Sequence, residues 1–148
     1  ALADSMERLG RLSGLGRDRR LHYYVRGLLY KARGQRAEAI DAFRRARLSP
    51  NMGYARIGLE LATALNDARQ FQEAAVVMQS SLRGVFEGSM LYATHTEYHF
   101  QLAQAYEGLG QADSARMHYA VVARSLSQCD PEWVPLRAAA EAGMARLK

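Results

Sequence analysis

Four histidines and one cysteine are the residues of this sequence that could ligate a metal or act as nucleophiles. His95 and His99 lie four residues apart, a spacing that places two imidazoles on one face of a helix and occurs in zinc sites. A third ligand is missing from the pattern, so we expect His99 to be a packed structural residue. His22 and His118 are isolated in the sequence, and Cys129 has no local histidine or acid that would favour a thiolate nucleophile.

The glycine-rich segment 10–16 is a further candidate for ligand chemistry. A phosphate-binding loop needs a strand before it and a lysine after it, and this segment lacks the sequence pattern for either. We find no catalytic constellation of residues. We therefore expect a non-enzymatic protein that holds no metal and no cofactor.

Length and composition indicate one ordinary globular domain or a small repeat array. The chain has 148 residues, of which 49% are hydrophobic and 24% are charged. It contains no stretch of roughly 20 uninterrupted apolar residues, which a membrane-spanning helix needs, and residues 1–10 do not resemble a secretory signal. The single cysteine excludes an internal disulfide. We expect a cytoplasmic protein without membrane insertion, and the initial alanine favours a piece of a longer polypeptide.

Positive charge is concentrated in the first third of the chain. Residues 1–50 hold 12 arginines and lysines against 5 acids, whereas the remaining 98 residues hold 8 against 10. Clustered arginines can contact nucleic-acid phosphates. The clusters are Arg17, Arg19 and Arg20, and Arg44, Arg45 and Arg47. Arginine outnumbers lysine 18 to 2 over the chain, a usage typical of GC-rich coding sequences. Scattered arginines on helix surfaces usually solvate a face, and this is the favoured interpretation. Nucleic-acid binding by the arginine-rich N-terminal half of the chain is the alternative function.

Apolar residues recur at intervals of three and four along six segments, which predicts an all-α fold. The segments are Leu21–Ala32, Ala37–Leu48, Ile57–Leu65, Phe71–Leu82, Phe100–Leu109 and Ala115–Leu126. Glycine, asparagine, aspartate and proline residues separate them, as expected for short turns. Short connections between successive helices favour antiparallel helix hairpins.

The sequence also repeats itself in one register, with intervals of 35 and then 41 residues. Four sets of positions keep these intervals: Gly27, Ala62 and Ala103; Tyr30, Leu65 and Tyr106; Ala39, Ala74 and Ala115; Phe43, Met78 and Tyr119. Small residues permit two helices to approach, and the large residues fill the space between helix pairs. A repeat of this length predicts a stack of similar helical units.

The first copy is the most complete. It has Tyr23, Gly27 and Tyr30 in its first helix, Gly34 at the turn, Ala39, Phe43 and Ala46 in its second helix, and Pro50 at the exit. The opening aromatic position holds Gly58 in the second copy and His99 in the third. This pattern resembles the tetratricopeptide repeat (TPR) family. The resemblance implies antiparallel helix hairpins stacked as a right-handed solenoid with capping helices.

The resemblance divides the chain into three repeats between two capping segments. The repeats are 20–53, 54–88 and 94–127, and the caps are 1–19 and 131–148. An insertion at 83–89 falls within the second repeat, and we expect Phe86 to cover the end of that hairpin. In the caps, Met6–Leu15 fits the remnant of a preceding repeat and Pro135–Leu147 fits an amphipathic helix over the last hairpin. Trp133 is expected in the core.

In the TPR family, the first helix of each hairpin lines a concave groove that binds a peptide or a helix. The matching positions are Leu21, Tyr24, Leu28, Lys31, Arg56, Leu59, Thr63, Asn66, Glu97, Phe100, Gln104 and Glu107. The resemblance implies a protein–protein interaction scaffold, which we place in a larger bacterial regulatory or assembly protein. Self-association into a homo-oligomer through the groove is a variant of this function.

The groove residues predict an apolar middle between two charged sides. Lys31 and Arg56 are expected on one side, with Glu97 and Glu107 on the other, an arrangement that suits an amphipathic segment. The sequence leaves open a second arrangement, in which the protein's own terminal helix, or the residues that precede the repeats, cover Tyr24, Leu28 and Phe100.

Overall fold

The computed structural model describes residues 2–49, 54–83 and 92–147, and within these ranges the chain is helical and contains no strand. Eight α-helices lie in the described ranges: α1 (Leu2–Leu12), α2 (Leu21–Ala32), α3 (Arg36–Ala46), α4 (Ala55–Asp67), α5 (Phe71–Leu82), α6 (His95–Gly108), α7 (Ala112–Ser125) and α8 (Val134–Arg146). Short 3₁₀ helices, Asp18–Arg20 and Pro131–Trp133, precede α2 and α8. The prediction of an all-α chain is confirmed.

Three tight turns join α2 to α3, α4 to α5, and α6 to α7, and they share one backbone conformation. Each contains a residue in the left-handed region: Gly34 at φ 73°, Arg69 at φ 59° and Gly110 at φ 72°. The next residue donates its N–H to a carbonyl five positions earlier, from Gln35 to Tyr30, Gln70 to Leu65 and Gln111 to Tyr106. The three turns are separated by the 35- and 41-residue intervals of the sequence. Glycine suits this conformation, and the second turn tolerates arginine there.

Each helix from α1 to α7 packs against the helix that follows it, and α4 also packs against α6. Close approach depends on small residues at the contacts. A Cβ atom on Gly27 would lie 2.5 Å from the Phe43 ring, so any larger residue would displace that ring. Ala39, Ala74 and Ala115 are likewise buried at the start of the second helix of each pair.

Two clusters of buried apolar residues form the core. The larger one runs from α3 to α6 and contains Phe43, Leu65 and Met78, each fully buried. The smaller one joins α6, α7 and α8 around Tyr119 and includes the half-buried Trp133. Trp133 packs against this cluster but stays partly exposed, so the expectation that it lies in the core is met only in part.

Helix bounds differ modestly from the apolar segments of the sequence. Helices α2 and α5 have the predicted bounds, whereas α6 begins at His95, five residues before the segment Phe100–Leu109. Its start is set by a capping box, in which the Thr94 hydroxyl accepts from the Glu97 N–H and the Glu97 carboxylate accepts from the Thr94 N–H. Capping residues are polar and do not belong to the apolar pattern, which explains why the pattern predicts the start of α6 too late in the chain.

The two terminal helices are also displaced from their predictions. Helix α1 covers Leu2–Leu12, although the apolar segment was Met6–Leu15, and α8 covers Val134–Arg146 in place of Pro135–Leu147. Pro50, Phe86 and all of the insertion 83–89 except Arg83 lie outside the described residues.

Candidate functional site

A groove of about 520 Å³ opens between α4 and α6 on one side and α8 with its preceding 3₁₀ helix on the other. Its lining residues are Lys31, Arg56, Leu59, Glu60, Thr63, Glu97, Phe100, Gln101, Glu132, Trp133, Pro135, Leu136 and Ala139. Six of the twelve residues assigned from the sequence are among them: Lys31, Arg56, Leu59, Thr63, Glu97 and Phe100. The volume lies in the usual range for clefts that receive ligand side chains.

Apolar side chains from three helices form the interior of the groove. Leu59 of α4 is buried, with 5% of its surface exposed. Phe100 of α6 packs edge-to-face on Tyr119, with ring centroids 5.9 Å apart. Trp133 and Leu136 line the groove from the α8 side and remain partly exposed. Partly exposed aromatic rings in a concave site are the usual anchors for a bound chain.

Two ion pairs cross the groove wall and join neighbouring helices. The Lys31 ammonium lies 2.7 Å from the Glu60 carboxylate and links α2 to α4. The Arg56 guanidinium lies 2.8 Å from Glu97 and links α4 to α6. The prediction that Arg56 and Glu97 occupy opposite charged sides is therefore wrong, because the two residues are paired. Their charges are largely compensated within the protein.

One further carboxylate stands at the mouth of the groove. Glu132 is exposed on the 3₁₀ helix before α8. It makes no ion pair with any residue that the structure describes. Since the other groove charges are paired, Glu132 gives this end of the groove an uncompensated negative charge.

Two predicted groove residues do not line this groove and make contacts inside the protein. Asn66 is buried and donates its side-chain N–H to the Gln101 carbonyl at 3.0 Å. Glu107 accepts from the Tyr119 hydroxyl at 2.6 Å and pairs with Arg146 of α8 at 2.8 Å. These two donors hold the pKa of the Glu107 carboxyl below its usual range.

Four predicted residues lie outside the groove lining. Leu21 faces a separate shallow cavity with Met6, Leu9 and Tyr54. Tyr24 packs against the larger core cluster, where its ring centroid lies 6.1 Å from that of Phe43. Leu28 is exposed, and Gln104 is half-buried. The predicted apolar strip is therefore interrupted: the α8 end packs with Phe100 in the smaller cluster but does not cover Tyr24 or Leu28.

Several lining residues were missed by reasoning from the sequence. Glu60 and Gln101 each follow a predicted position by one residue, and helix geometry makes both neighbours of the same groove. Trp133, Leu136 and Ala139 come from the capping segment, which the repeat pattern does not place. The signal that could have placed these residues is the start of that segment, which contains apolar residues and the one tryptophan of the chain.

His99 and His118 form a contact between α6 and α7. Their Nδ1 atoms are 2.7 Å apart, and the Tyr106 ring stacks on His118 with centroids 5.4 Å apart. Burial, and then the neighbouring His99, lowers the pKa of His118 to about 4. His99 is thus a packed histidine, and His118, although isolated in the sequence, is its partner in the structure.

The other candidate ligands do not assemble a metal site. His22, also described as isolated, is buried with its Nε2 atom 3.9 Å from the Glu7 carboxylate. Among the residues that the structure describes, no group of three or more histidines, cysteines or acids is placed to hold a metal ion. No helix in the described ranges is long and apolar enough to cross a membrane.

Of the two arginine clusters proposed as a nucleic-acid footprint, Arg44, Arg45 and Arg47 are engaged within the protein, whereas Arg19 of the other cluster is exposed. Arg44 makes two bonds to Glu73, at 2.8 and 2.6 Å. Arg45 lies over the Tyr23 ring at 4.5 Å from its centroid. Arg47 is half-buried, and burial lowers the pKa of its guanidinium. Guanidinium groups held in this way offer fewer free donors to phosphates, which disfavours the alternative function.

Comparison of the chain with protein-family models, curated proteins and solved structures found no match.

Proposed function

We propose that this protein is a non-enzymatic interaction module that binds a peptide or helical segment of another protein in the groove between α4, α6 and α8. The observation that carries this proposal is the groove of about 520 Å³ with partly exposed Phe100, Trp133 and Leu136 inside it. Concave sites with aromatic and aliphatic anchors and a polar rim are typical of peptide recognition.

We infer that the helix pairs form a TPR-like array. The support is the shared turn geometry at Gly34, Arg69 and Gly110, which keeps the sequence register of 35 and 41 residues. In such an array the first helices of the pairs lie side by side. The Lys31–Glu60 and Arg56–Glu97 pairs, which link α2, α4 and α6 in that order, agree with this arrangement.

The chemistry of the groove predicts the character of its ligand. The interior accepts aliphatic or aromatic side chains, because Leu59, Phe100 and Leu136 present apolar surface. Glu132 at the mouth favours a lysine or arginine beside the apolar anchors. We expect an amphipathic segment with apolar residues on one side and a basic residue next to them.

Trp133 provides a direct test because it is the one tryptophan of the chain and lines the groove. Peptides without tryptophan are selected on the protein from a displayed library and titrated while Trp133 emission is recorded. A groove ligand shifts the emission and enriches sequences with apolar anchors beside a basic residue. Replacing the basic residue of the peptide by glutamate weakens binding, since the new carboxylate then lies near the carboxylate of Glu132.

The matched variants are Ala139→Trp and Ala138→Trp. Both alanines are exposed on α8, but Ala139 lines the groove and Ala138 does not. A bulky side chain at 139 occupies the groove and reduces affinity by at least about tenfold, whereas the same change at 138 leaves it unaltered. Equal binding by both variants, monitored through anisotropy of a labelled peptide, contradicts the proposal, as does the absence of any enriched peptide.

A further inference from the structure

The polar side chains in the groove lining are bonded to other parts of the protein. Lys31 meets the Glu60 carboxylate at 2.7 Å, and Arg56 meets Glu97 at 2.8 Å. The Thr63 hydroxyl donates to the carbonyl four residues before it, at 2.9 Å. These contacts engage side chains that a ligand backbone would otherwise use as hydrogen-bond partners.

The amide of Gln101 is engaged as well, because its Oε1 atom accepts from the Asn66 side chain at 2.9 Å. The other carboxylate oxygen of Glu97 accepts from the Thr94 N–H at 2.7 Å. The lining holds seven charged, hydroxyl or amide side chains, and six of them thus have a partner within the described part of the chain. The seventh is Glu132.

The backbone around the groove offers little to a ligand, because all lining residues lie in α2, α4, α6, α8 or the 3₁₀ helix before α8. The interior N–H and C=O groups of a helix bond within that helix. Addition of a strand needs a sheet edge, and residues 2–49, 54–83 and 92–147 contain none. An extended ligand would turn part of its own backbone towards Leu59, Phe100 and Leu136, where those groups would stay unbonded.

The length of the groove favours a helical ligand for a second reason. Along α4 the lining runs from Arg56 to Thr63, which is about 10 Å at 1.5 Å per residue. A helix of two turns covers this length and directs side chains i, i+3 or i+4, and i+7 to one side. An extended segment covers it with about three residues, of which at most two face the groove. The helix therefore delivers more apolar surface to the same site.

We propose that the occupant of the groove is an amphipathic α-helix of a partner protein and not an extended peptide. A helix satisfies its own backbone hydrogen bonds, so the apolar interior of the groove leaves none of them unmade. A lysine or arginine beside its apolar stripe meets Glu132, the charged lining residue for which the described chain supplies no partner. This inference rests on the proposed function and narrows it to one ligand conformation.

Two displayed peptide libraries of equal composition, both without tryptophan, test the inference on the whole 148-residue protein. One library fixes leucines at i, i+3 or i+4, and i+7 beside a lysine, and the other fixes the same residues at every second position. We expect enrichment from the first library and not from the second. The emission of Trp133, which lines the groove, shows whether an enriched peptide binds there.

Proline then tests the conformation of the bound peptide. The most enriched peptide is titrated with proline or with alanine at one middle position that faces away from its leucines. Alanine keeps the helix, whereas proline costs a helix about 3 kcal/mol, which corresponds to a loss of affinity of about 100-fold. The helical circular dichroism of the complex should exceed the sum of its two components, because the peptide becomes helical on binding.

The outcomes separate this inference from the proposed function. If alternating peptides shift Trp133 emission, bind less tightly to Ala139→Trp and tolerate proline, the groove binds an extended chain and the helix inference alone is overturned. If neither library is enriched, the proposed function fails and this inference fails with it. If Trp133 emission shifts with protein concentration alone and sedimentation shows a dimer, a second copy fills the groove, and the partner helix is overturned.

Discussion

The first and last helices of the protein are attached in opposite ways. Helix α8 packs through apolar residues, with Ala140 and Gly143 buried and Trp133 and Met144 in the cluster around Tyr119. Helix α1 has one buried residue, Gly10, among its residues, all of which the structure describes, and its Glu7 pairs with Arg26 of α2 at the surface. The α8 end of the helix stack packs against an apolar cluster, whereas no residue of α1 belongs to either of the two clusters.

This difference shows what each end is suited to do. An array of helix pairs needs terminal elements that cover its last apolar face. Helix α8 does so and forms a wall of the groove at the same time. Helix α1 half-buries Ala3 and Met6 and pairs Glu7 with Arg26, while Leu9 and Leu12 are exposed. We therefore expect substitutions at the α8 end to affect stability more than substitutions in α1.

The largest expected effect comes from Tyr119→Ala. Tyr119 is 1% exposed, and a Cβ atom on Gly143 would lie 2.5 Å from its ring, so α8 rests directly on this side chain. Loss of the ring leaves a cavity between α7 and α8. The free energy of unfolding should fall by about 3–5 kcal/mol, measured by urea denaturation with circular dichroism.

Tyr119→Phe is the matched control, because it keeps the ring and removes the hydroxyl that donates to Glu107. Its cost should be smaller, about 1–3 kcal/mol for a hydrogen bond to a charged group. If Tyr119→Ala costs no more than Tyr119→Phe, the apolar attachment of α8 is not what stabilises this end, and the contrast between the ends disappears.

A smaller effect at the same end depends on pH. Burial lowers the pKa of His118 to about 4, against about 6.5 in an unfolded chain. The native protein thus binds fewer protons than the unfolded one between these values, and protonation favours unfolding. Stability is full above pH 6.5 and falls as the pH drops towards 4, by up to about 3 kcal/mol.

The measurement is urea denaturation of the wild-type protein and His118→Gln at several pH values from 7.5 to 4.5. The variant is less stable at neutral pH but should lose less stability on acidification, because glutamine does not titrate. Hydrogen exchange at low pH should accelerate in α6 and α7 before it does in α2 and α3. If stability falls with pH by the same amount in both proteins, protonation of His118 is not what destabilises the contact between α6 and α7.

The helices and their turns could be predicted from the sequence because their causes are local. Apolar spacing of three and four places α2 and α5, and glycine marks the turns at Gly34 and Gly110 through its tolerance of positive φ. The equivalent turn at Arg69 has no such signal, and the repeat register alone identifies it. Local chemistry therefore predicts the helices and turns, and the repeat register predicts which turns are equivalent.

The groove was predictable only in part because its pairings join distant residues. Arg56 meets Glu97 across 41 positions, and Lys31 meets Glu60 across 29. A repeat pattern places each residue on a face but does not say whether its neighbour carries the opposite charge. The same limit explains His118, whose partner lies 19 residues away on another helix.

The smallest expected effect tests the α1 side of the comparison. Glu7→Gln removes a carboxylate that Arg11 and Arg26 contact, while nothing apolar is lost. These partners are exposed to solvent, so the destabilisation should be smaller than that of Tyr119→Phe and should vanish at about 1 M salt, where screening is nearly complete. Thermal melts of wild type and Glu7→Gln at low and high salt measure this destabilisation.

The Glu7→Leu variant separates charge from packing: if α1 is attached by ion pairs, leucine is as harmful as glutamine at low salt. If leucine instead stabilises the protein at both salt concentrations, the α1 contact is governed by apolar packing after all, and the two ends differ in degree and not in kind.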